Sequence, residues 1–299
     1  ENNIVQKITA KGCSNYIGMI NCNNKLTILK FSNITFFNNA ASSLYGGGSG
    51  LMFDGISELV FEKCNFTNNC AIEDHSESRQ SQNSDKPYYN GDGGAIQIGH
   101  LCQTNNIKVT FSNCKFIGNK AQRHGGAIAV QTLSDVLIDG CTFNNNIANF
   151  DFSLSSSNLL FDDHFYKKTD GRGGAIYINP TYYHECQGTN EFMPKITLND
   201  NIITNNTAYD GYAIYIEGDK SDTIFDFIDN RFNDNYNESN YNKENPNSIY
   251  GAVIVTEIFT ITNESLKSNY NYFEYYIFKK EVNQLSYVDH YAHTPSKEF

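Results

Sequence analysis

Histidines and aspartates that fall near one another are the first residues in this chain able to do chemistry. His75, His124 and His164 are accompanied by Asp74, Asp85, Asp92, Asp162, Asp163 and Asp170, and imidazoles beside carboxylates are the donor set of a divalent cation site. Their intervals match no metal signature, and charged residues in polar stretches are ordinarily solvated. The expectation is therefore no metal and no cofactor. Paired carboxylates also cleave sugar bonds, one acting as acid and the other as base or nucleophile. Asp162, Asp163 and Arg172 are the nearest approach to such a set, without forming a recognisable constellation. A Gly-Gly pair opening an apolar run, as in Gly125-Gly126-Ala127-Ile128, suggests a loop that cradles phosphate. Gly93-Gly94-Ala95-Ile96 and Gly173-Gly174-Ala175-Ile176 repeat it outright, and recurrence makes it a scaffold corner instead.

The cysteines and asparagines divide in the same way between chemistry and architecture. Of eight cysteines, Cys64, Cys114 and Cys141 share one repeated position and are expected to form a reduced, buried column. Stacked parallel side chains hold sulfurs in poor geometry for bridging. Cys13 and Cys22 bracket a short loop and are expected to bridge, and Cys102 and Cys186 lie on two long loops that a second bridge would join. Asn33, Asn65, Asn205, Asn237 and Asn263 open Asn-x-Ser/Thr sequons, acceptors for N-glycosylation in a secreted chain. A net charge of -11 and the lack of any Lys/Arg cluster argue against a nucleic-acid partner, which needs basic patches. No apolar run approaches the roughly 20 residues of a membrane-spanning helix. The chain opens at Glu1 without a charged-then-apolar leader, which reads as a mature secreted chain.

The elements that must position these residues are repeats. A large apolar residue is followed three later by Cys, Asn or Ile, two further by an aromatic or Ile, and three later by Asn. The copies begin at Phe31, Phe61, Phe111, Ile138, Leu198 and Phe227. The closing residues are Asn39, Asn69, Asn119, Asn146, Asn206 and Asn235, which are expected to hydrogen-bond as an internal ladder at a turn where Asn tolerates left-handed backbone angles. Short apolar runs bounded by Asn, Gly, Asp and Ser predict about three strands per unit. Equivalent positions carry like residues, so the strands should stack in parallel and in register. That is an all-β fold, a parallel β-helix of roughly seven coils with strands about 4.8 Å apart. Residues 1–25 are assigned to an N-terminal cap, 26–273 to the solenoid and 274–299 to a C-terminal cap or tail. Long inserts fall at two places on the coil, before the Gly element (72–92, 149–172, 236–250) and after it (99–106, 179–195), so each class should gather on one edge. Aromatics crowd these inserts, among them Tyr88, Tyr89, Phe161, Phe165, Tyr182 and Tyr183.

With three intact Gly-Gly-Ala-Ile motifs and five intact Phe-x-x-Asn motifs, residues 31–254 resemble the repeats of the chlamydial polymorphic outer membrane proteins. Similar repeats occur in adhesin-like surface proteins of some protists. The resemblance implies a right-handed parallel β-helix and a surface, often adhesive, role. The bacterial members also carry a C-terminal membrane barrel, which nothing here resembles, so their anchoring and export do not carry over. The expected function is that of a secreted, non-catalytic surface module with an adhesive or structural role. Its partner would be a protein or carbohydrate at the cell surface, or itself. A filament subunit assembled end to end is the alternative, and a polysaccharide lyase or hydrolase, chemistry that many β-helices host, is the second.

Overall fold

The computed structural model describes residues 3–6, 9–11, 16–18, 28–42, 52–54, 58–72, 91–98, 107–131, 134–148, 171–179, 195–208, 211–216, 224–228, 230–233, 235, 254–256, 277–281 and 284–289. One turn of the chain shows how the sequence builds it. Strands run over Ile107–Ser112, Lys115–Ile117, Lys120–Ala121 and Ile128–Val130. Each pairs in parallel with its counterpart one turn before and one turn after. Phe111 lies between Phe61 and Ile138, Phe116 between Phe66 and Phe143, Ala121 between Ala71 and Ala148, and Ile128 between Ile96 and Ile176. The result is four parallel sheets, here called first to fourth in chain order, of six, seven, five and nine strands. This is a parallel β-helix, and among the described residues it contains no α-helix. The sequence pattern predicts about three strands per turn. The fourth is the short pairing at Lys120–Ala121, too brief to leave a periodic signature.

Burial alternates along the first sheet, and the inward positions carry the large apolar side chains. Leu59, Phe61, Val109, Phe111, Ile138 and Leu198 are wholly buried. Phenylalanines stack face to face in two columns. In one, Phe36, Phe66, Phe116 and Phe143 have ring centroids 4.8, 4.8 and 4.7 Å apart. In the other, Phe31, Phe61 and Phe111 are 4.9 and 5.1 Å apart. Edge-to-face contacts, such as Phe111 on Phe116 at 5.7 Å, tie the columns together. Each buried ring contributes on the order of 1.5–3 kcal/mol through loss of contact with water. The coil repeat thus turns a short local pattern into a continuous core.

The corners explain the small and polar residues. Between the first and second sheets, Asn33, Lys63, Asn113, Gly140 and Asp200 take positive φ, and between the second and third sheets Asn38, Asn68, Gly118, Asn145 and Asn205 do the same. The second group directly precedes the ladder positions, whereas the sequence suggested that the ladder Asn itself would adopt that conformation; the first group precedes Ile34, Cys64, Cys114, Cys141 and Asn201. Geometry gives the reason. The non-glycine members of both groups are exposed, so the reversal happens on an outward residue and delivers the next side chain to the interior. At the turn into the fourth sheet the first glycine of each motif has positive φ (67° at Gly93, 65° at Gly125). The second has no room for a side chain, since a Cβ on Gly126 would lie 2.1 Å from the Gly174 carbonyl oxygen.

Both ends of the chain continue the stack. Asn3–Gln6, Thr9–Lys11 and Tyr16–Gly18 add rungs to the second, third and fourth sheets. Ile277–Glu281 adds one to the fourth sheet and Gln284–Asp289 closes that sheet in antiparallel pairing.

Candidate functional site

Two columns of interior polar groups run through the solenoid. In the first, both the backbone N–H and the side-chain Nδ2 of each Asn donate to the Oδ1 of the next. The bonds run from Asn39 to Asn69 (3.1 and 2.9 Å), Asn69 to Asn119 (3.0 and 3.0 Å), Asn119 to Asn146 (3.0 and 3.0 Å), Asn146 to Asn206 and Asn206 to Asn235. The second Nδ2 proton returns to a carbonyl of the preceding turn, as from Asn119 to Phe66 at 3.0 Å. A buried amide whose donors and acceptor are engaged in this way escapes the penalty of an unsatisfied polar group, since its internal hydrogen bonds offset the lost hydration. The second column begins in sulfur and ends in amide. Cys114 N donates to Cys141 Sγ at 3.3 Å, Cys141 N to Asn201 Oδ1 at 2.8 Å, and Asn201 N to Asn230 Oδ1 at 3.1 Å. Among the described cysteines Cys64, Cys70, Cys114 and Cys141 are free thiols. The Cys141 thiol beside Cys114, together with burial, pushes Cys114 up to about 12, while burial outweighs Lys120 to bring Cys70 up to about 12. Contact with Cys114, then burial, raises Cys64 as well.

A third column lies at the residue before each Gly-Gly pair, where successive turns place Asp92, His124 and Arg172. Backbone bonds from Gly93 N to His124 O and from Gly125 N to Arg172 O, both 2.8 Å, fix their register. Asp92 Oδ1 accepts the backbone N–H of His124 at 3.0 Å, and His124 Nδ1 accepts that of Arg172 at 3.2 Å. Accepting at Nδ1 defines the neutral tautomer with its proton on Nε2. Asp92 Oδ2 takes Gln131 Nε2 at 2.9 Å and Arg123 Nη1 at 3.4 Å, and Gln97 Nε2 donates to Gln131 Oε1 at 2.6 Å. The His124 ring stacks on Tyr177 at 4.6 Å, and the Arg172 guanidinium sits 4.9 Å over the Tyr215 ring.

This column borders an unusual face. On the fourth sheet the outward positions are as buried as the inward ones. Gln97, Ala129, Tyr177 and Tyr215 are at most 2 % exposed, whereas outward residues of the first two sheets are half-buried or exposed. Burial holds His124 well below its ordinary pKa, with Arg123 and Arg172 adding to the effect. Among the described residues the cluster is one run of hydrogen bonds, from Gln97 through Gln131 and Asp92 to the backbone of His124 and from the His124 ring to the backbone of Arg172. Asp92, the candidate ligand or base, already carries three donors, so the geometry resembles a structural clasp more than a pair of facing carboxylates.

Of the residues the sequence singled out for chemistry, the structure brings together Asp92, His124 and Arg172. His75, His164, Asp74, Asp85, Asp162, Asp163, Asp170 and the insert aromatics lie outside the described residues, as do Cys13, Cys22, Cys102, Cys186, Asn237 and Asn263. No group of three or more metal-ligating residues occurs among the described ones. Asn33 and Asn205 are exposed at corners flanking the second sheet, and Asn65 is half-buried on its outward side. Sequence reasoning missed Gln97, Gln131, Arg123, Tyr177 and Tyr215. A signal for two of them was present, because Ile176-Tyr177-Ile178 and Ile214-Tyr215-Ile216 repeat in register.

Residues 109–131 and 140–179 match the model of the Chlamydia polymorphic membrane protein repeat. The chain carries this repeat. The first matched segment takes in His124 and ends at Gln131, and the second spans Cys141, Phe143, Asn146 and Arg172. All three interior columns therefore pass through matched residues. No curated protein and no solved structure matches the chain.

Proposed function

We propose that this chain is a non-catalytic cell-surface protein, displayed outside its cell, with an adhesive or structural role. The polymorphic membrane protein repeat is the observation that carries the reading, since proteins named for that repeat are membrane proteins. The solenoid supports it further. Its interior is filled by aromatic columns and satisfied amides, leaving the outer faces and inserts as the surface on which recognition can evolve. A non-catalytic role is supported by Asp92, whose oxygens are occupied by Gln131, Arg123 and the His124 backbone. In this reading the exposed sequons at Asn33 and Asn205, with Asn65 between sheet corners, carry glycans. These three lie on or at the corners of the second sheet, and Asn237 and Asn263 lie outside the described residues.

Binding of fluorescently labelled protein to intact cells and to arrayed glycans and matrix proteins tests the adhesive role. Saturable binding that unlabelled protein competes away is expected, and no binding above a scrambled-insert control refutes it. The filament reading draws on Ile28–Ser32, the terminal strand of the first sheet among the described residues, where Ile28 is 56 % exposed and an uncovered edge would accept another strand. Ordered fibres in negative stain would favour it over isolated short rods. Turnover of a polysaccharide panel, lost on Asp163→Ala, would replace both readings with an enzyme.

A further inference from the structure

The outward face of the first sheet stays in contact with water, and its charges follow an order. Inward residues such as Leu59, Phe61, Val109 and Phe111 are wholly buried, so the residues between them point outward, in three columns set by the parallel register. One column runs Glu58, Lys108, Asp135, Lys195, with signs alternating from strand to strand. The middle column runs Lys30, Val60, Thr110, Leu137, Thr197, Asp226, so opposite charges close its two ends. The last runs Glu62, Ser112, Asp139, Asn199, and the exposed corner residues Lys63 and Asp200 border it. Lys30, Lys108 and Lys195 are exposed, and the carboxylates beside them are half-buried. Ion pairs within the chain, such as Lys195 with Asp226 at 3.0 Å and Lys108 with Glu58 at 3.8 Å, lie at this solvated surface.

Alternation down one column is what a lone sheet needs to keep like charges apart. The same order, reversed, is complementary to itself. We propose that this face is a two-fold interface between two copies of the chain, packed face to face with their solenoid axes antiparallel. A two-fold axis along the strand direction, between Ile107–Ser112 and Ser134–Asp139, reverses the order of the strands. Glu58 then meets Lys195 of the second copy, Lys108 meets Asp135, Lys30 meets Asp226 and Lys63 meets Asp200, each pair occurring twice. Glu62 meets Asn199 and Asp139 meets Ser112, which are hydrogen-bond donors, and Val60, Thr110, Leu137 and Thr197 form the uncharged centre. None of these positions opposes a like charge. The other face-to-face arrangement, with the two-fold along the solenoid axis, sets Lys30 on Lys30, Glu58 on Glu62 and Asp135 on Asp139, and like charges across an interface are costly. Charge complementarity therefore selects the antiparallel pair. Six strands about 4.8 Å apart, each about five residues of 3.3 Å, give a face of roughly 400–500 Å² per chain. That is small for a permanent complex, so the dimer is weak and, being held by charges at its surface, salt-sensitive. It forms in solution whether or not the chain is displayed on a cell, and it differs from end-to-end stacking in leaving the sheet edges unused.

Sedimentation velocity of the full chain at about 5–500 µM tests this, with N-glycans trimmed enzymatically because Asn33 borders the face. The wild type should associate into dimers in about 50 mM salt and dissociate at least tenfold more readily in about 500 mM. Glu58→Lys and Lys195→Glu each set like charges against one another across the two-fold, so either variant alone should associate at least tenfold more weakly. In an equimolar mixture of the two variants every such pair is again opposite in sign, and association should return to within about threefold of wild type. A wild type that stays monomeric at the highest concentration, variants that associate as the wild type does, or a mixture no tighter than its components overturns the proposal. Should a variant fail to fold, zero-length carbodiimide crosslinking of mixed light and heavy-isotope wild type decides. Within one chain Lys30 and Asp226 lie five strands apart, about 24 Å, and Glu58 and Lys195 three strands apart, about 14 Å, beyond the reach of a direct amide bond. Light-to-heavy crosslinks at these two pairs support the antiparallel dimer, and dimers joined only through other residues overturn it.

Discussion

Asn119 directs both its backbone N–H and its side-chain amide at Asn146 Oδ1, 3.0 Å away in each case. The Asn119 side chain in turn accepts both donors of Asn69 and returns its last proton to Phe66 O. Replacing Asn119 with Ala therefore orphans at least the two buried donors of Asn69. At about 1–3 kcal/mol for each unsatisfied group, the loss should be about 3–5 kcal/mol. Denaturant melts of Asn119→Ala against the exposed corner variant Asn113→Gly, which should be nearly neutral, measure it.

The sulfur column makes a contrasting case. At Cys141 and Asn201 the thiol column passes into an amide column without a break, so Cys141→Asn should extend the amide ladder and leave stability unchanged or higher. Meanwhile Cys64, Cys70 and Cys114 should resist a thiol reagent at pH 8 in the native chain and react fully in denaturant. Because these thiols hold their protons more tightly when folded, the stability they confer is complete below the ordinary thiol pKa. It should fall as pH rises above about 9. Alkaline melts between pH 8 and 11 read this slope, and rising stability over that range would contradict it.

Two glycines separate backbone freedom from space. Gly118 has φ 66°, and its would-be Cβ meets only the Asn68 side chain. Asn occupies the equivalent corner at 38, 68, 145 and 205. Gly118→Asn should cost less than about 1 kcal/mol. Gly126→Ala would drive a Cβ into backbone atoms of Gly174 and Ile147, and should cost more than about 4 kcal/mol or abolish folding. Thermal melts by circular dichroism compare the two.

Much of this was legible in the sequence, and the illegible part has a physical cause. The Phe columns, the Asn ladder and the parallel register follow from like residues recurring at like positions, whatever the insert length between them. The left-handed residues were misplaced by one because Asn-Asn pairs such as Asn68-Asn69 offer two candidates, and only the inward direction of the second decides. The third column is hidden for a different reason. Asp92, His124 and Arg172 differ in type, so no repeat search links them. Aligning the chain on the glycines that follow shows that they share a position. The burial of Gln97 and Tyr177 defies the period-two pattern, which assigns such positions to solvent.

If the chain is exported through a glycosylating pathway, enzymatic removal of N-glycans in heavy-oxygen water should convert Asn33, Asn65 and Asn205 to labelled Asp. The buried Asn39, Asn69, Asn119, Asn146, Asn206 and Asn235 should stay unmodified. Peptide mapping reads all nine positions in one experiment. Labelled Asp at a ladder position would contradict the interior column, because a glycosylated side chain cannot enter it.

Surface display itself is tested most directly by antibody labelling of the native organism's cells before and after permeabilisation. Labelling of intact cells, removed by brief external protease treatment, is the predicted result. Signal that appears only after permeabilisation and survives the protease would contradict it.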